Sequence, residues 1–474
     1  MSGPVGSPWR RGRRIATVAI VVAAAGVTAV VAASPDVLES GATASEQAER
    51  TLPPTANLVV VHDSGPLDSS TRTRAIDAAQ RAGARFTVVQ SVSSAMTTLR
   101  RGPTAIQAAA PDFSFPMSTT FIEADAIEAL MGTDVVEGLS DRTLVMSAAT
   151  AALRGARAGD VVTLRHVQGG TRDFTISRIV HDSITGGTEL LMLPSAAARL
   201  GVQRESRVVI WDFEDRPTIM SALAAAGVVA SAQSGPGSIH EPSSTETAIR
   251  VRRSWDPQDP DSTLGMASTK GVLGEFSYRV APDSSWVTID GRWASANLPN
   301  GRVSIGLGVE ALCHQRVEPA LRAALAEIAA RGLAGTIDVD NANAAGGCFA
   351  PRFNRLAPDS NVGFLSRHTW AGAIDLNTVR DCQGCDPPSL AFRSGGCETV
   401  RIFRKHGFSW GGNYTTPDGM HFEYVGVDRS QLPYPSRYCP NRPTGSPLVL
   451  ELEQSERAVI FADAGLVEGH APSD

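Results

Sequence analysis

Cysteine is absent from the first 312 residues of this 474-residue chain, so no disulfide can form within that part. The C-terminal part holds all six cysteines, namely Cys313, Cys348, Cys382, Cys385, Cys397 and Cys439. No second Cys-x-x-Cys accompanies Cys382-Gln-Gly-Cys385, which argues against a four-cysteine zinc site. An even number of cysteines in an exported domain favours disulfides, although the positions alone do not determine their pairing.

A basic excess is also lacking. The chain has 43 Lys and Arg against 49 Asp and Glu, and its net charge is −6. Surfaces that bind nucleic acid are normally basic, so this balance argues against a nucleic-acid partner. The length is sufficient for two or three domains with large cores.

One long apolar stretch, residues 15–33, contains no charged side chain and follows four arginines, Arg10, Arg11, Arg13 and Arg14. This length is sufficient to cross a bilayer, and the arginines should hold residues 1–14 in the cytoplasm. We therefore predict a single-pass protein of the cell membrane whose later domains are extracellular. A cleaved signal peptide and a twin-arginine export signal are the alternatives, and both also export the bulk of the chain.

Composition divides the exported part into two domains. Residues 34–55 are interpreted as a spacer, and residues 231–270, rich in Ser, Gly and Pro near their start, as a linker. Short strands, glycine-rich turns and helices in residues 56–230 predict an α+β domain that has no cluster of histidines with carboxylates. Residues 271–440 form the second predicted domain, and residues 441–474 are a tail without an assigned function.

The N-terminal domain is predicted to begin with a β-α-β unit. A β-branched run at residues 58–61 and a second apolar run at residues 85–89 predict strands. Between them, residues 69–82 predict a helix with Ser70 or Thr71 as its cap.

Three later stretches of this domain, residues 158–164, 174–180 and 189–192, are similar to the ectodomains of export-type permease subunits. The likeness carries no motif of chemistry. It implies a protein-interaction or spacing role, and therefore a possible protein partner. A structural platform that holds the next domain away from the membrane is the alternative.

The residues suited to catalysis are concentrated in the C-terminal domain. His368 and Asp375 are separated by small residues, which predict a tight turn leading into a buried strand. Asp418 and His421 form a second pair, with His421 in a strand-like stretch. A carboxylate flanked by apolar residues needs a partner, and a metal ion is one. Two imidazoles and one carboxylate, with a fourth position open, are typical of a catalytic zinc site.

These clusters resemble those of the VanY-type D-alanyl-D-alanine carboxypeptidases and their L-alanyl-D-glutamate endopeptidase relatives. The family pattern is Ser-x-His-x-x-Gly-x-Ala-x-Asp, then Trp-Gly-Gly, then Asp-x-x-His. This chain matches it at Ser366, His368, Ala373, Asp375, Trp410, Gly411, Gly412, Asp418 and His421. It departs at Ala371, where the family has glycine. The likeness covers roughly residues 275–440 and implies a hedgehog-like α+β zinc domain with a small antiparallel sheet.

The resemblance also implies the roles of individual residues. It assigns three ligands to Zn²⁺, namely His368, Asp375 and His421. Asp418 would be the general base that takes a proton from the zinc-bound water. An arginine upstream of the first ligand would help to hold the oxyanion, and we assign this role to Arg352, with Arg355 as the alternative.

Further residues are expected around the substrate. Ser366 is assigned to support of the site, and Trp410 and Tyr414 to the walls of a substrate cleft. Packing in the core is an equal alternative for the two aromatic residues. Glu423, two residues after His421, is a second candidate for the base or a hydrogen-bonding partner of that histidine.

The sequence thus predicts a membrane-anchored, extracellular zinc metallopeptidase that hydrolyses peptidoglycan stem peptides. A D-alanyl-D-alanine carboxypeptidase is the first choice, and an L-alanyl-D-glutamate endopeptidase of the same family is the alternative. A zinc-containing module that binds the cell wall without turnover is a further alternative, because the same fold serves in hedgehog-like signalling domains.

Overall fold

The structure is a computed structural model in which the described residues are 58–62, 67–185, 188–228, 230–233, 260–281, 285–338, 347–354, 363–414, 417–432 and 436–442. They all belong to one compact unit, Leu52–Asp474. The membrane helix predicted at residues 15–33 and most of the predicted tail lie outside the described residues. Among the described residues, no helix combines the length and the apolar character needed to span a membrane.

The N-terminal part is built on one sheet of ten strands among the residues described. The strands are β1 (Leu58–His62), β2 (Arg85–Arg101), β3 (Thr104–Ala108), β4 (Phe115–Phe121), β5 (Thr143–Ser147), β6 (Val161–Arg165), β7 (Thr171–Val180), β8 (Leu190–Met192), β9 (Arg207–Trp211) and β10 (Ala230–Gln233). Their order is β10-β1-β9-β2-β4-β8-β5-β7-β6, and β3 pairs with β2. Because β6 also pairs with β2, six of these strands close into a barrel. Its interior is filled by apolar side chains such as Met96, Met117, Phe121, Phe174 and Leu190.

Seven helices of this part are α1 (Ser69–Arg81), α2 (Ala124–Met131), α3 (Thr133–Val136), α4 (Ala148–Arg154), α5 (Asp182–Thr185), α6 (Pro194–Leu200) and α7 (Arg216–Ala225). The predicted caps of the first helix, Ser70 and Thr71, are wrong, because the cap lies two or three residues earlier. The Asp68 carboxylate caps α1 by accepting hydrogen bonds from the backbone N–H groups of Ser70 and Thr71, each 2.9 Å long. The predicted β-α-β unit is present in split form, because β9 lies between β1 and β2 and is antiparallel to both.

The described residues of the C-terminal part contain four more α-helices, several 3₁₀ turns and three small sheets. The helices are α8 (Met266–Leu273), α9 (Gly291–Asn297), α10 (Glu318–Ala330) and α11 (Gly396–Lys405). The strands are β11 (Tyr278–Val280), β12 (Val287–Ile289), β13 (Val303–Gly306), β14 (Val309–Ala311), β15 (Ala373–Asp375), β16 (Phe408–Trp410) and β17 (His421–Tyr424). A three-stranded antiparallel sheet has the order β15-β17-β16. The mixed α+β class predicted from the sequence is therefore confirmed.

Residues 260–270, which composition assigned to a linker, are largely buried. Leu264 and Met266 belong to the buried apolar residues, and Met266 lies in the core of the C-terminal part. Lys270 reaches into the N-terminal part, where its Nζ lies 2.9 Å from a carboxylate oxygen of Glu189. The side chains of Lys270 and Glu189 are both fully buried. The two parts are therefore joined here by a buried ion pair.

Three disulfides join all six cysteines. The pairs are Cys313–Cys348, Cys382–Cys385 and Cys397–Cys439. The prediction that the cysteines form disulfides is confirmed, and the structure supplies the pairing that the sequence left open. Two of these disulfides contact the functional region, because Cys348 lies beside His368 and the 382–385 loop pairs with the backbone of Asp418 through Gln383.

Candidate metal centre and catalytic site

Strand pairing brings two of the predicted ligands together. Asp375 at the end of β15 is directly opposite His421 at the start of β17. His368 lies just before β15, in the 3₁₀ turn Arg367–Trp370. The Ser366 hydroxyl caps this turn by accepting a hydrogen bond of 3.3 Å from the backbone N–H of His368. The chain then reverses through Ala371, whose φ of 50° is in the left-handed region.

The three predicted ligands converge on one point. Nε2 of His368 lies 3.1 Å, and Nδ1 of His421 lies 3.0 Å, from the same oxygen, Oδ1 of Asp375. One potential ligand atom from each residue lies within 4.8 Å of the others. Both histidines are buried, and Asp375 is nearly so. The structure therefore brings together the histidines and carboxylate predicted to bind a metal ion.

The remaining ring nitrogens are directed away from this point. Nδ1 of His368 lies 3.1 Å from the carbonyl oxygen of Cys348. Nε2 of His421 lies 3.6 Å from Oε2 of Glu423. Partners of this kind fix the orientation of metal-binding imidazoles. Two nitrogens oriented in this way, together with one carboxylate oxygen, fit a divalent cation that accepts nitrogen and oxygen ligands, such as Zn²⁺.

The protonation of the cluster reflects its buried charges. Burial works to lower the pKa of His421, but its contacts with Asp375 and Glu423 and the charge of Asp418 raise it to about 10. Burial works to raise the pKa of Asp375, but His368 and His421 hold it well below its usual range. The cluster thus strongly favours positive charge beside Asp375, which either a proton or a metal cation can supply.

Asp418 is held next to the metal cluster by backbone contacts. The backbone N–H of His421 donates to the carbonyl of Asp418 over 3.0 Å. The N–H of Asp418 donates to the carbonyl of Gly411 over 2.8 Å. A Cβ atom on Gly411 would lie 2.6 Å from the carbonyl oxygen of Asp418 and 3.2 Å from the Cβ of His421. The first glycine of Trp410-Gly411-Gly412 is therefore required for the close approach of these two segments.

Glu423 makes a contact that the sequence did not indicate. Its Oε1 lies 2.9 Å from Nε of Arg367, the residue before the first predicted ligand. Burial works to raise the pKa of Glu423, but Arg367 and His421 lower it below its usual range. Glu423 is therefore held as a carboxylate between an arginine and a predicted metal ligand. The signal for Arg367 in the sequence was only its position beside His368.

The two aromatic residues assigned to the substrate cleft differ in position. Trp410 is fully buried, and its indole N–H donates to the carbonyl of Gly419 over 2.8 Å. This position favours the packing alternative for Trp410. Tyr414 is half-buried, and its ring centroid lies 6.1 Å from that of His421. Burial, followed by the charge of Glu423, raises the pKa of Tyr414 well above its usual value, so its phenol remains protonated.

Arg352 lies on the segment that supports the turn of the first ligand. Its carbonyl accepts hydrogen bonds from the N–H of Ser366, over 2.9 Å, and from Oγ1 of Thr369, over 3.1 Å. Its guanidinium Nη1 donates to the carbonyl of Phe353 over 3.2 Å. Its contact with an oxyanion stays a prediction, and the alternative, Arg355, lies outside the described residues.

Comparison with known proteins points to the same region. No curated protein matches the chain. Residues 360–424 match the family model described as D-alanyl-D-alanine carboxypeptidase. The match contains the three residues of the metal cluster together with Asp418, but not Arg352. The family resemblance drawn from the motifs is thereby confirmed for residues 360–424, the segment that carries the His-Asp-His cluster, which are similar to the D-alanyl-D-alanine carboxypeptidase family.

Proposed function

We propose that the chain is a zinc peptidase that hydrolyses peptidoglycan stem peptides, with the bond between two terminal D-alanines as its first target. The observation that carries this proposal is the convergence of His368 Nε2, Asp375 Oδ1 and His421 Nδ1, with Asp418 three residues before the last of them. A structural zinc site would have a fourth protein ligand, whereas three ligands with an open position are typical of catalysis.

The ion would be held by the three converging atoms. When bound there, zinc would acidify a water molecule and polarise the carbonyl of the scissile peptide bond. Asp418 would take the proton from the attacking water and pass it to the leaving amine. Its backbone is fixed by hydrogen bonds to Gly411 and His421, so the turn that carries the carboxylate is in place before substrate arrives.

Arg352 would offset the negative charge that develops on the carbonyl oxygen, because a fixed cation costs no reorganisation during the reaction. Support comes from the hydrogen bonds between its backbone and the turn that carries His368. Tyr414 would line the cleft beside His421 as a neutral phenol.

The proposed location is outside the cytoplasmic membrane, with residues 15–33 as an uncleaved anchor and secretion after signal cleavage as the alternative. Three disulfides among the described residues fit an oxidising compartment. The barrel of the N-terminal part would serve as a spacer or would bind a protein partner.

The test is a digest of defined wall peptides by the purified full-length chain, with and without a chelator, followed by mass analysis. We expect chelator-sensitive release of alanine from peptides that end in D-Ala-D-Ala. Release of a larger fragment cut between L-Ala and D-Glu would instead support the endopeptidase alternative. Retention of wall peptides without any cleavage would support a binding module and contradict the peptidase.

Two substitutions separate metal binding from turnover. Asp418→Ala should keep zinc and lose turnover, whereas His368→Ala should lose both. His406→Ala and Asp428→Ala are matched controls, because these side chains contact Glu327 and Ser430, respectively. Full turnover by Asp418→Ala would show that the base is assigned to the wrong residue.

A further inference from the structure

Residues 261–266, here called the arm, contact two parts of the site, namely the segment 410–413 and Arg367. Asp261 is 1% exposed and Leu264 is 2% exposed, although composition assigned both to a linker. We propose that the arm positions two parts of the site. Through Asp261 it positions the turn that carries Asp418, and through Arg367 it positions the predicted metal ligand His421. This inference concerns positioning residues and rests on the proposed peptidase function.

The first route starts at the Asp261 carboxylate, which accepts hydrogen bonds from Arg404, Trp410 and Asn413. Oδ1 accepts from Nε of Arg404 over 2.9 Å and from the backbone N–H of Trp410 over 3.1 Å. Oδ2 accepts from Nη2 of Arg404 and from Nδ2 of Asn413 over 2.7 Å. Arg404 is fully buried, so the pair is shielded from solvent. Asp261 therefore fixes both ends of the four-residue segment 410–413.

The same segment supports the predicted base. Gly411 lies in the middle of it, and its carbonyl accepts the N–H groups of Asp418 and Tyr414 over 2.8 and 3.0 Å. The space beside Gly411 is too small for a methyl group because Asp418 and His421 approach it closely. A shift of the segment would therefore move Asp418, and small displacements of a catalytic group lower the rate strongly.

The second route runs through Arg367. Its Nη2 donates to the carbonyl of Leu264, and its Nη1 lies 3.6 Å from Sδ of Met266. Its Nε is then directed at Oε1 of Glu423, and the other oxygen of Glu423 lies 3.6 Å from Nε2 of His421. The planar guanidinium cannot make these contacts in another orientation. The arm therefore fixes the position of the Glu423 carboxylate relative to His421.

The arm is itself held in place at both ends. Arg429 donates to the carbonyl of Ser262. Beyond the arm, Lys270 in α8 forms its buried ion pair with Glu189 of the N-terminal part. A tether that only connected two domains would need none of these buried polar contacts, because flexible linkers remain solvated.

The Arg367 route is tested by zinc affinity, which needs no turnover. The dissociation constant of the full-length chain for Zn²⁺ is measured by competition with a chromophoric chelator. Arg367→Ala should raise this constant about 10-fold or more, as is usual when a residue that orients a metal ligand is removed. Arg367→Lys keeps a positive charge beside Glu423 but lacks the forked donors of the guanidinium. Its zinc affinity should therefore lie between those of Arg367→Ala and the wild type. Arg322→Ala, which removes an exposed ion pair with Glu318, is the matched control and should not change it.

The Asp261 route is tested by kinetics together with hydrogen exchange. Asp261→Asn should lower kcat about 10-fold or more and change zinc affinity less than Arg367→Ala does, because Asp261 holds the segment that bonds Asp418, whereas Arg367 orients Glu423 beside the ligand His421. Amide exchange in residues 411–421 should become faster. Asn413→Ala removes one donor to Asp261 together with two hydrogen bonds to the backbone of Tyr438, and it should change kcat and exchange in the same direction as Asp261→Asn. Asp290→Asn, at the start of α9, is the control and should change neither.

The outcomes distinguish this inference from the proposed function. A wild-type chain that binds zinc but cleaves no wall peptide would contradict the function, while the zinc and exchange measurements would still test the arm. Conversely, an active wild type together with unchanged zinc affinity in Arg367→Ala and unchanged exchange in Asp261→Asn would overturn the arm and leave the function intact.

Discussion

The carbonyl oxygen of Cys348 lies 3.1 Å from Nδ1 of His368. A residue anchored by the disulfide to Cys313 therefore sets the orientation of the first predicted metal ligand. Because the contact is made by the backbone carbonyl, any natural residue at position 348 could supply it. The role of the disulfide is to hold that backbone in place.

Removal of this disulfide should weaken metal binding as well as stability. The bond closes a loop with a sequence separation of 35, so Cys313→Ser with Cys348→Ser should lower the free energy of unfolding by about 4 kcal/mol. Zinc affinity should fall as well because His368 loses its fixed partner. Chemical denaturation and chelator competition measure the two effects. The matched control is Cys397→Ser with Cys439→Ser, whose separation is 42. It should cost similar stability without a loss of zinc affinity, and equal affinity losses in both variants would contradict the argument.

Gly411→Ala should lower kcat strongly and the free energy of unfolding only moderately. The new methyl group would contact the carbonyl of Asp418 at 2.6 Å, so the turn that carries the predicted base must shift. Overpacking of this kind costs about 1–3 kcal/mol. We expect kcat to fall about 10- to 100-fold, because displacement of a catalytic group is costly. Gly291→Ala is the control, since a Cβ at that position meets no atom within 4 Å. A Gly411→Ala variant with normal kcat would show that the turn is not closely packed in solution.

Lys270→Met should strongly destabilise the chain. Its ammonium group lies 2.9 Å from Glu189 and 3.2 Å from Glu275, and Arg154 pairs with the same two carboxylates. Removal of one partner from a buried pair leaves an uncompensated charge and typically costs about 3–5 kcal/mol. Thermal and urea unfolding measure the loss.

The stability lost in Lys270→Met should be partly recovered by a second substitution that restores the balance of charge. Lys270→Met combined with Glu189→Gln should recover part of the lost stability, because the orphaned carboxylate is removed as well. Loss of the exposed Arg322–Glu318 pair should cost below about 1 kcal/mol. If the double variant were no more stable than Lys270→Met, the loss would not come from the unpaired charge.

Glu327 should make stability depend on acid pH. Burial works to raise its pKa, but hydrogen bonds from Lys405 and His406 and the charge of Arg331 lower it to about 2. A carboxylate with a lowered pKa in the folded state stabilises the chain above its ordinary pKa, and this contribution disappears as pH falls through the folded value. The difference in Tm between wild type and Glu327→Gln should therefore shrink as pH falls from 4.5 to about 2. Glu310→Gln is the control. A difference that stays constant over this range would contradict the lowered pKa.

The two halves of the His-Asp-His site could be predicted because each depends on local spacing and matches a family motif, whereas the meeting of Asp375 with His421 depends on the pairing of β15 with β17. His368 and Asp375 lie on one turn and the strand that follows it, and Asp418 and His421 are separated by two residues. Such short spacings place side chains by local backbone geometry alone. The mixed α+β class could be predicted for the same reason, since strand and helix periodicity extends over a few residues.

The supporting contacts could not be predicted from the sequence. Asp261 and Trp410 are 149 residues apart, and Arg367 and Glu423 are 56 residues apart. No local pattern encodes such pairs, and the composition around Asp261 favoured a linker. The length of β2 was underestimated for a related reason. Its second half is rich in Ser and Thr and does not alternate clearly, but pairing with β4 and β6 holds it in the barrel, and residues 91–94 are buried on both faces.

The buried pair of Asp261 and Arg404 has a consequence for how such proteins can be recombined in evolution or by genetic engineering. A gene fragment that begins at codon 271 would encode a hydrolase with an uncompensated guanidinium in its core, because the neutralising carboxylate would be left behind. The smallest portable C-terminal module of this chain must therefore include Asp261, which lies upstream of the boundary that composition suggests.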